Sequence, residues 1–228
     1  MPVYNEGKII GETIRRVEDS VKTEHELLII YDMDEDTTVP SVKKLQKKYP
    51  NVKLVKNAYG RGALNALKTG LKAAKGKAVC TMMADLTDDP KVLNNMMKKF
   101  DEGYDVIAAS RYMKGGHQIG GPILKQILSR LAGISLHYLV ALPTRDATNS
   151  FRLYRRSFLQ KNKVESNGGF ELALEFTVKA YFQGYKVTEV PTTWTYLAKE
   201  SRFYMRKWLP KYLKWYFWAL KHKFNLGM

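Results

Sequence analysis

Two acid-rich segments and one arginine stand where their chemistry could be used. Asp32-Met33-Asp34-Glu35-Asp36-Thr37-Thr38 and Asp85-Leu86-Thr87-Asp88-Asp89-Pro90 each follow an apolar run of strand character, and Ser110-Arg111-Tyr112 follows a third. Carboxylates grouped at a strand end offer hard oxygen donors to a divalent cation, and magnesium held that way keeps positions open for phosphates. An arginine nearby can pair two phosphate oxygens at once and stays charged at any working pH. Plainer readings stand beside these. Asp88 and Asp89 precede Pro90 in the manner of helix caps, and a surface arginine is commonly just solvated. Asp85 has no obvious cap to make. Gly60-Arg61-Gly62 opens an expected helix and suits either an anion cradle or an ordinary turn.

The elements that must position these residues alternate along the first half of the chain. Strands are predicted over 26–31, 52–55, 77–84 and 105–110, and helices over 8–19, 39–48, 61–75 and 90–100. Such alternation predicts an α/β fold, a mainly parallel sheet with helices on both faces. In open sheets of this kind ligands bind outside the carboxyl ends of the strands, where the three clusters lie. The 228 residues fit one domain, with no low-complexity tract, internal repeat or linker. Cys80, the single cysteine, can close no intramolecular disulfide and reads as a strand residue. The first residues lack a basic start followed by an apolar stretch, so a cytoplasmic or cytoplasm-facing location is expected.

The net charge of +16 is unevenly spread. Residues 1–110 carry 18 basic and 16 acidic groups, 111–163 carry 10 and 1, 164–200 carry 3 and 5, and 201–228 carry 7 and 0. Two basic blocks in the second half imply a polyanionic surface as partner, either anionic lipid or nucleic acid; a soluble basic surface is the bland alternative. All four tryptophans fall in the second half, three of them within 205–224, where the pattern reads as an amphipathic helix. Trp208, Tyr212, Trp215 and Ala219 align with Leu209, Leu213, Tyr216 and Leu220 on one side, opposite Lys207, Lys211, Lys214 and Lys221. Clustered Trp, Tyr and Lys suit a helix lying in a headgroup layer, with plain core packing as the competing reading. The apolar run 131–142 is too short to span a bilayer and reads, with 122–130, as a core helix or a second interfacial one.

Taken in order, the motifs resemble those of the inverting glycosyltransferases of family two, of the dolichol- or polyprenyl-phosphate mannose synthase type. Pro2-Val3-Tyr4-Asn5-Glu6 resembles P-x-Y-N-E, and Asp32 with Asp36 and Thr38 resembles D-D-x-S-x-D-x-T. Gly60-Arg61-Gly62 through Gly70 and Gly76 resembles the family's glycine-spaced helix, and Ala84-Asp85-Leu86 falls at D-A-D-L. Ser110-Arg111-Tyr112 with Gly115-Gly116 resembles S-R-Y-x-x-G-G, and Asn149-Ser150-Phe151-Arg152 resembles S-G-F-R. Gly169-Phe170 with Glu175, Glu189-Val190-Pro191 and Glu200-Ser201-Arg202 resemble the closing motifs. Departures are Met83 in place of the first acid of D-x-D, Thr87 where glutamine is common, and the absence of the strand that precedes P-x-Y-N-E.

The resemblance implies a GT-A, Rossmann-like fold over 1–200 and a basic aromatic membrane-surface helix over 201–228. It implies sugar transfer from a nucleotide-sugar donor to a polyprenyl or dolichyl phosphate at the cytoplasmic face of a membrane, with Mg²⁺ or Mn²⁺ as cofactor. Pro2, Tyr4, Glu6, Asp32 and Asp36 would hold the nucleotide, Asp85 the metal, and Arg111, Arg152 and Arg202 the phosphates; Asp88 is the candidate to replace the acid missing at Met83, as a metal ligand or through water. A hydroxyl acceptor would need a general base, for which Asp146, Glu171 and Glu175 are candidates, Glu175 at a motif position. A catalytically inactive membrane-binding relative is the other alternative. Nucleic acid is not an expected partner, because a basic surface alone leaves the acidic strand ends unexplained.

Overall fold

The computed structural model describes residues 1–197 and 205–225. The first half alternates as α1 (Ile10–Ser20), β1 (Leu27–Tyr31), α2 (Thr38–Leu45), β2 (Val52–Lys56), α3 (Ala63–Ala73), β3 (Ala78–Thr81), α4 (Val92–Asp101) and β4 (Val106–Ser110). The second half runs β5 (His117–Ile119), α5 (Ile123–Val140), β6 (Arg152–Arg155), α6 (Arg156–Lys161), α7 (Leu172–Phe182), β7 (Val187–Pro191), β8 (Thr193–Thr195) and α8 (Met205–Phe224).

The helix and strand periods explain the layers. Ile10, Ile14 and Val17 recur at helical spacing and turn the inner face of α1 into the core, while every residue of β4 is buried, as a strand covered on both faces requires. Truncating one such side chain, Ile14→Ala for example, costs about 2–5 kcal/mol.

β1 and β2 pair in parallel, and a second sheet has the order β3-β6-β4-β7, with β6 antiparallel to its neighbours and β4 parallel to β7. Between the two sheets the backbone of residues 1–3 runs parallel to β1: Ile30 donates to the Met1 carbonyl and Val3 to the Ile30 carbonyl, on the edge of β1 away from β2. Met1 also packs on the core cluster that includes Ala78 and Cys80 of β3. β5 and β8 form a separate parallel pair beyond the end of β4.

Two sequence expectations change at the elements themselves. The strand expected over 77–84 ends at Thr81, so 82–88 form a loop, with Leu86 in the left-handed region at φ 62°. On α8 the aromatic side is split. Trp208, Trp215 and Ala219 are buried, Trp215 and Ala219 joining Leu136, Val140, Leu174 and Val178 in one cluster, whereas Leu209, Leu213 and Phe217 face outward. The Tyr216 hydroxyl donates to Ser135 on α5 at 2.9 Å, and the Tyr212 hydroxyl to the Phe170 carbonyl at 2.7 Å. Core packing thus accounts for the indole rings, and the outward apolar residues are aliphatic apart from Phe217 and Phe224. Among the described residues no helix is long and apolar enough to cross a membrane.

Candidate active site

The loop after Pro2 is built by Asp36. Its carboxylate is fully buried and accepts from the Asn5 amide through both oxygens, each at 3.1 Å, and from the Thr38 amide at 2.8 Å. Asn5 sits at φ 57°, a conformation asparagine tolerates, and its side-chain oxygen accepts from the Thr37 amide. Thr38 Oγ1 accepts from the Glu6 amide, and a Cβ on Gly7 would overlap the Thr37 carbonyl. Segments 4–7 and 36–38 are therefore locked together, with Tyr4 left 44% exposed above them. Asp36, expected to touch the nucleotide, instead spends its carboxylate on shaping the loop that carries Tyr4.

Asp32 lies just past β1 and organises the start of α3. Its oxygens accept from Asn57 Nδ2 and the Gly62 amide, each at 2.8 Å. Asn57 also donates to the Gly60 carbonyl and accepts from Thr69 Oγ1. The Gly60-Arg61-Gly62 turn, with positive φ at both glycines, is thus pinned to the end of β1, and Arg61 is exposed at its tip. Asn57 had no signal in the sequence beyond its place after β2.

The second acidic segment holds two carboxylates of different character. Asp85 is half-buried, and its Oδ1 accepts from the Thr87 hydroxyl at 2.7 Å and the Thr87 amide at 3.2 Å. Asp88 is buried, and its Oδ1 has no hydrogen-bond partner among the described residues. Burial first, then the neighbouring Asp85, push the Asp88 carboxyl up to about 7, against the pull of Arg111. A buried carboxylate oxygen with no donor is a costly arrangement that a cation relieves. Asp89 behaves as the capping reading expected, its Oδ1 accepting from the Lys91 amide at the entry to α4. Among the described residues no three His, Cys, Asp or Glu side chains gather as a metal cluster, so Asp85 and Asp88 fit a divalent ion only if ligand oxygens and water complete its shell.

Arg111 leaves β4 into a prepared seat. Nε and Nη2 pair with the two oxygens of Asp146 at 2.7 and 2.9 Å, and Nη2 also reaches Ser129 and Thr148. Burial alone would lower the guanidinium pKa, but Asp146 reverses this and raises it, so Arg111 is held charged. Nη1 has no acceptor among the described residues. Asp146 is brought here by α5: a Cβ on Gly133 would overlap the Arg145 carbonyl, so only glycine lets the helix lie against this segment. The Asp88 carboxyl feels both Arg111 and Asp146, which places the ends of β3 and β4 at one electrostatic site.

Other expected residues sit elsewhere. Arg152 is fully buried and donates to the carbonyls of Asp146 and Asn149 and to Thr177, so it braces the 146–152 segment with no face left for a phosphate. Glu175 is fully buried, accepting from the amides of Glu165 and Ser166 and paired with Lys179 at 2.6 Å. Glu171 accepts from three successive amides, those of Asn167, Gly168 and Gly169. Neither glutamate has the free oxygen a general base needs. Arg202, with Glu200 and Ser201, lies outside the described residues.

Over 220 residues the chain is 28% identical to a dolichol-phosphate mannosyltransferase of Pyrococcus furiosus, covering 94% of this chain and 60% of that one. It is 33% identical over 119 residues to a Bacillus subtilis glycosyltransferase, YkcC, covering 51% of this chain and 37% of that one. The chain therefore spans between a third and two thirds of the length of these relatives. The fold matches glucosyl-3-phosphoglycerate synthase from Mycobacterium tuberculosis, solved with Mn²⁺, UDP and glucosyl-3-phosphoglycerate, at TM-score 0.69 and 15% identity, covering 100% of this chain and 79% of the other. It also matches a mannosyltransferase from Pyrobaculum calidifontis, solved with GDP-mannose and Mn²⁺, at TM-score 0.64 and 17% identity, covering 98% and 71%. The model of glycosyl transferase family 2 matches residues 1–162, and the chain, with its GT-A fold, belongs to that family.

Proposed function

We propose that the chain transfers a sugar from a nucleotide-sugar donor to a lipid-linked phosphate. The observation that carries the reading is Asp88, a buried carboxylate with an unpartnered oxygen, beside Asp85 and within reach of the charge on Arg111. In this reading Asp85 and Asp88 hold Mg²⁺ or Mn²⁺, which supplies a Lewis acid to the departing nucleoside diphosphate. Tyr4 and Asp32, with the Gly60-Arg61-Gly62 turn, bound the nucleotide end. Arg111, fixed by Asp146, presents Nη1 to phosphate oxygens and meets negative charge without reorganising. Displacement at the anomeric carbon then inverts its configuration.

A phosphate acceptor is already a nucleophilic anion, whereas a hydroxyl acceptor must lose a proton to a base. Asp146, Glu171 and Glu175 are all buried and committed to hydrogen bonds, which favours the phosphate. The name of the Pyrococcus relative agrees with this choice. For the lipid itself, α5 exposes Ile123, Leu124, Ile127 and Leu131, and α8 beside it exposes Leu209, Leu213 and Phe217. These apolar residues, with the exposed Lys214, Lys221 and Lys223 of α8, form the surface we assign to an anionic membrane.

The test is transfer from a panel of labelled nucleotide sugars to vesicles carrying a polyprenyl phosphate, with and without Mn²⁺. A metal-dependent, acid-labile lipid product supports the reading; a product on a hydroxyl that is stable to mild acid, or donor binding without transfer, overturns the acceptor or the enzyme assignment respectively.

A further inference from the structure

The metal-site proposal leaves open what holds Asp85 in place, since the loop that bears it is irregular and contains a non-glycine residue in the left-handed region. Backbone strain of this kind persists only where surrounding groups fix it. The fixing groups come from α1 and β8. Thr13 Oγ1 on α1 donates to the Ala84 carbonyl at 2.9 Å, and Arg16 Nη1, one turn along the same helix, donates to the Leu86 carbonyl at 3.1 Å. The Thr195 amide of β8 donates to the Thr87 carbonyl at 3.1 Å. Each carbonyl flanking Asp85 is thus held by one side chain of α1. Thr13 is 1% exposed, so its bond is shielded from water. Behind Leu86 the protein opens into a cavity of about 520 Å³ lined by Arg16, Leu86, Thr87, Lys91 and Thr195 among others. Packing does not close the loop on that side, which leaves the bonds from Arg16 and Thr195 to constrain it.

We propose that Thr13 and Arg16 are positioning residues that hold the Ala84 and Leu86 carbonyls so that the Asp85 carboxylate keeps the orientation in which it receives the metal ion. The inference rests on the assignment of Asp85 and Asp88 to a divalent cation. Their effect on the ion passes through the backbone at 84–86, and groups that orient a metal ligand typically change metal affinity by about 10–100-fold when removed.

The experiment measures Mn²⁺ uptake by the full chain in the presence of a nucleoside diphosphate, by the loss of the free-Mn²⁺ resonance signal, together with the melting temperature of the metal-free protein. Variants are Thr13→Val, which keeps shape and removes the hydroxyl, Thr13→Ser, which restores it, Arg16→Met, which keeps length and removes every donor, and Arg16→Lys, which restores one. The expected result is a loss of Mn²⁺ affinity of about tenfold in T13V and in R16M, with recovery in T13S and partial recovery in R16K. Because Arg16 is half-buried, R16M tests the idea even if T13V folds poorly. Folded T13V and R16M proteins that bind Mn²⁺ as the parent does, or that lose only thermal stability, overturn this inference alone. A parent chain that takes up no Mn²⁺ with the nucleotide overturns the metal assignment beneath it.

Discussion

Replacing Asp146 by asparagine isolates the pair that seats Arg111. The substitution keeps size and one carbonyl oxygen but removes the charge that balances a guanidinium only 10% exposed. Breaking a buried pair from one side costs about 3–5 kcal/mol, because the surviving charge is left uncompensated. At about 2–4 °C per kcal/mol for a chain of this size, the melting temperature should fall by about 6–20 °C. The pH dependence has a definite sign. Burial pushes the Asp146 carboxyl up, but Arg111 outweighs this and holds it below the usual carboxylate range. The pair's contribution is therefore complete above the unfolded-state value and is lost as pH falls through the lower folded-state value, so D146N should flatten the acid limb of stability against pH. The assay is denaturant unfolding of D146N and of the double variant R111M/D146N, in which both charges are gone while position 146 keeps an acceptor oxygen beside the Arg111 and Asn149 amides that Asp146 binds. The double variant should recover at least half of the loss, since no charge is then left buried without its partner. A D146N loss under about 1 kcal/mol, or a double variant no better than the single, would show that the seat is not an ion pair in the energetic sense.

Asp88→Asn should abolish Mn²⁺-dependent binding of a nucleoside diphosphate, read by calorimetry, while leaving the metal-free protein as stable or more so at pH 8, because it no longer buries an unpartnered carboxylate; unchanged metal binding removes Asp88 from the site. Gly133→Ala should cost about 1–3 kcal/mol through its overlap with the Arg145 carbonyl, and should reduce transfer in the surviving folded protein by displacing Asp146; normal stability would show that α5 moves freely here. Ile127→Glu with Leu131→Glu should weaken co-sedimentation with anionic vesicles without lowering the melting temperature, both side chains being exposed; undiminished co-sedimentation argues against α5 as the contact.

Much of the first half was readable because helical and strand periods differ and each apolar residue reports its own burial. The ends of β1 and β4 followed from that alternation, and with them the places of Asp32 and Arg111 directly after those strands. The loop from 82 to 88 was not readable, since an extended apolar run gives no sign that Leu86 will turn left-handed once Thr13 and Arg16 hold its flanks. Motif positions also do not say which way a side chain faces. Asp36, Arg152 and Glu175 stand at family positions, yet each is claimed by protein donors or acceptors: the Asn5 amide, Thr177, and Lys179 with two backbone amides. The pattern of α8 fixed an apolar side but not its partner, and α5 and α7 took the indoles that would otherwise have faced lipid.

Sugar transfer through a metal on Asp85 is checked by following labelled sugar from nucleotide sugar into polyprenyl-phosphate vesicles for the parent chain and for Asp85→Asn side by side. The expected result is Mn²⁺-dependent transfer by the parent, with inverted anomeric configuration in the product, and transfer lost in D85N while its fold persists. Equal transfer by D85N, or transfer by the parent that is indifferent to the removal of divalent cations, would refute the role given to Asp85.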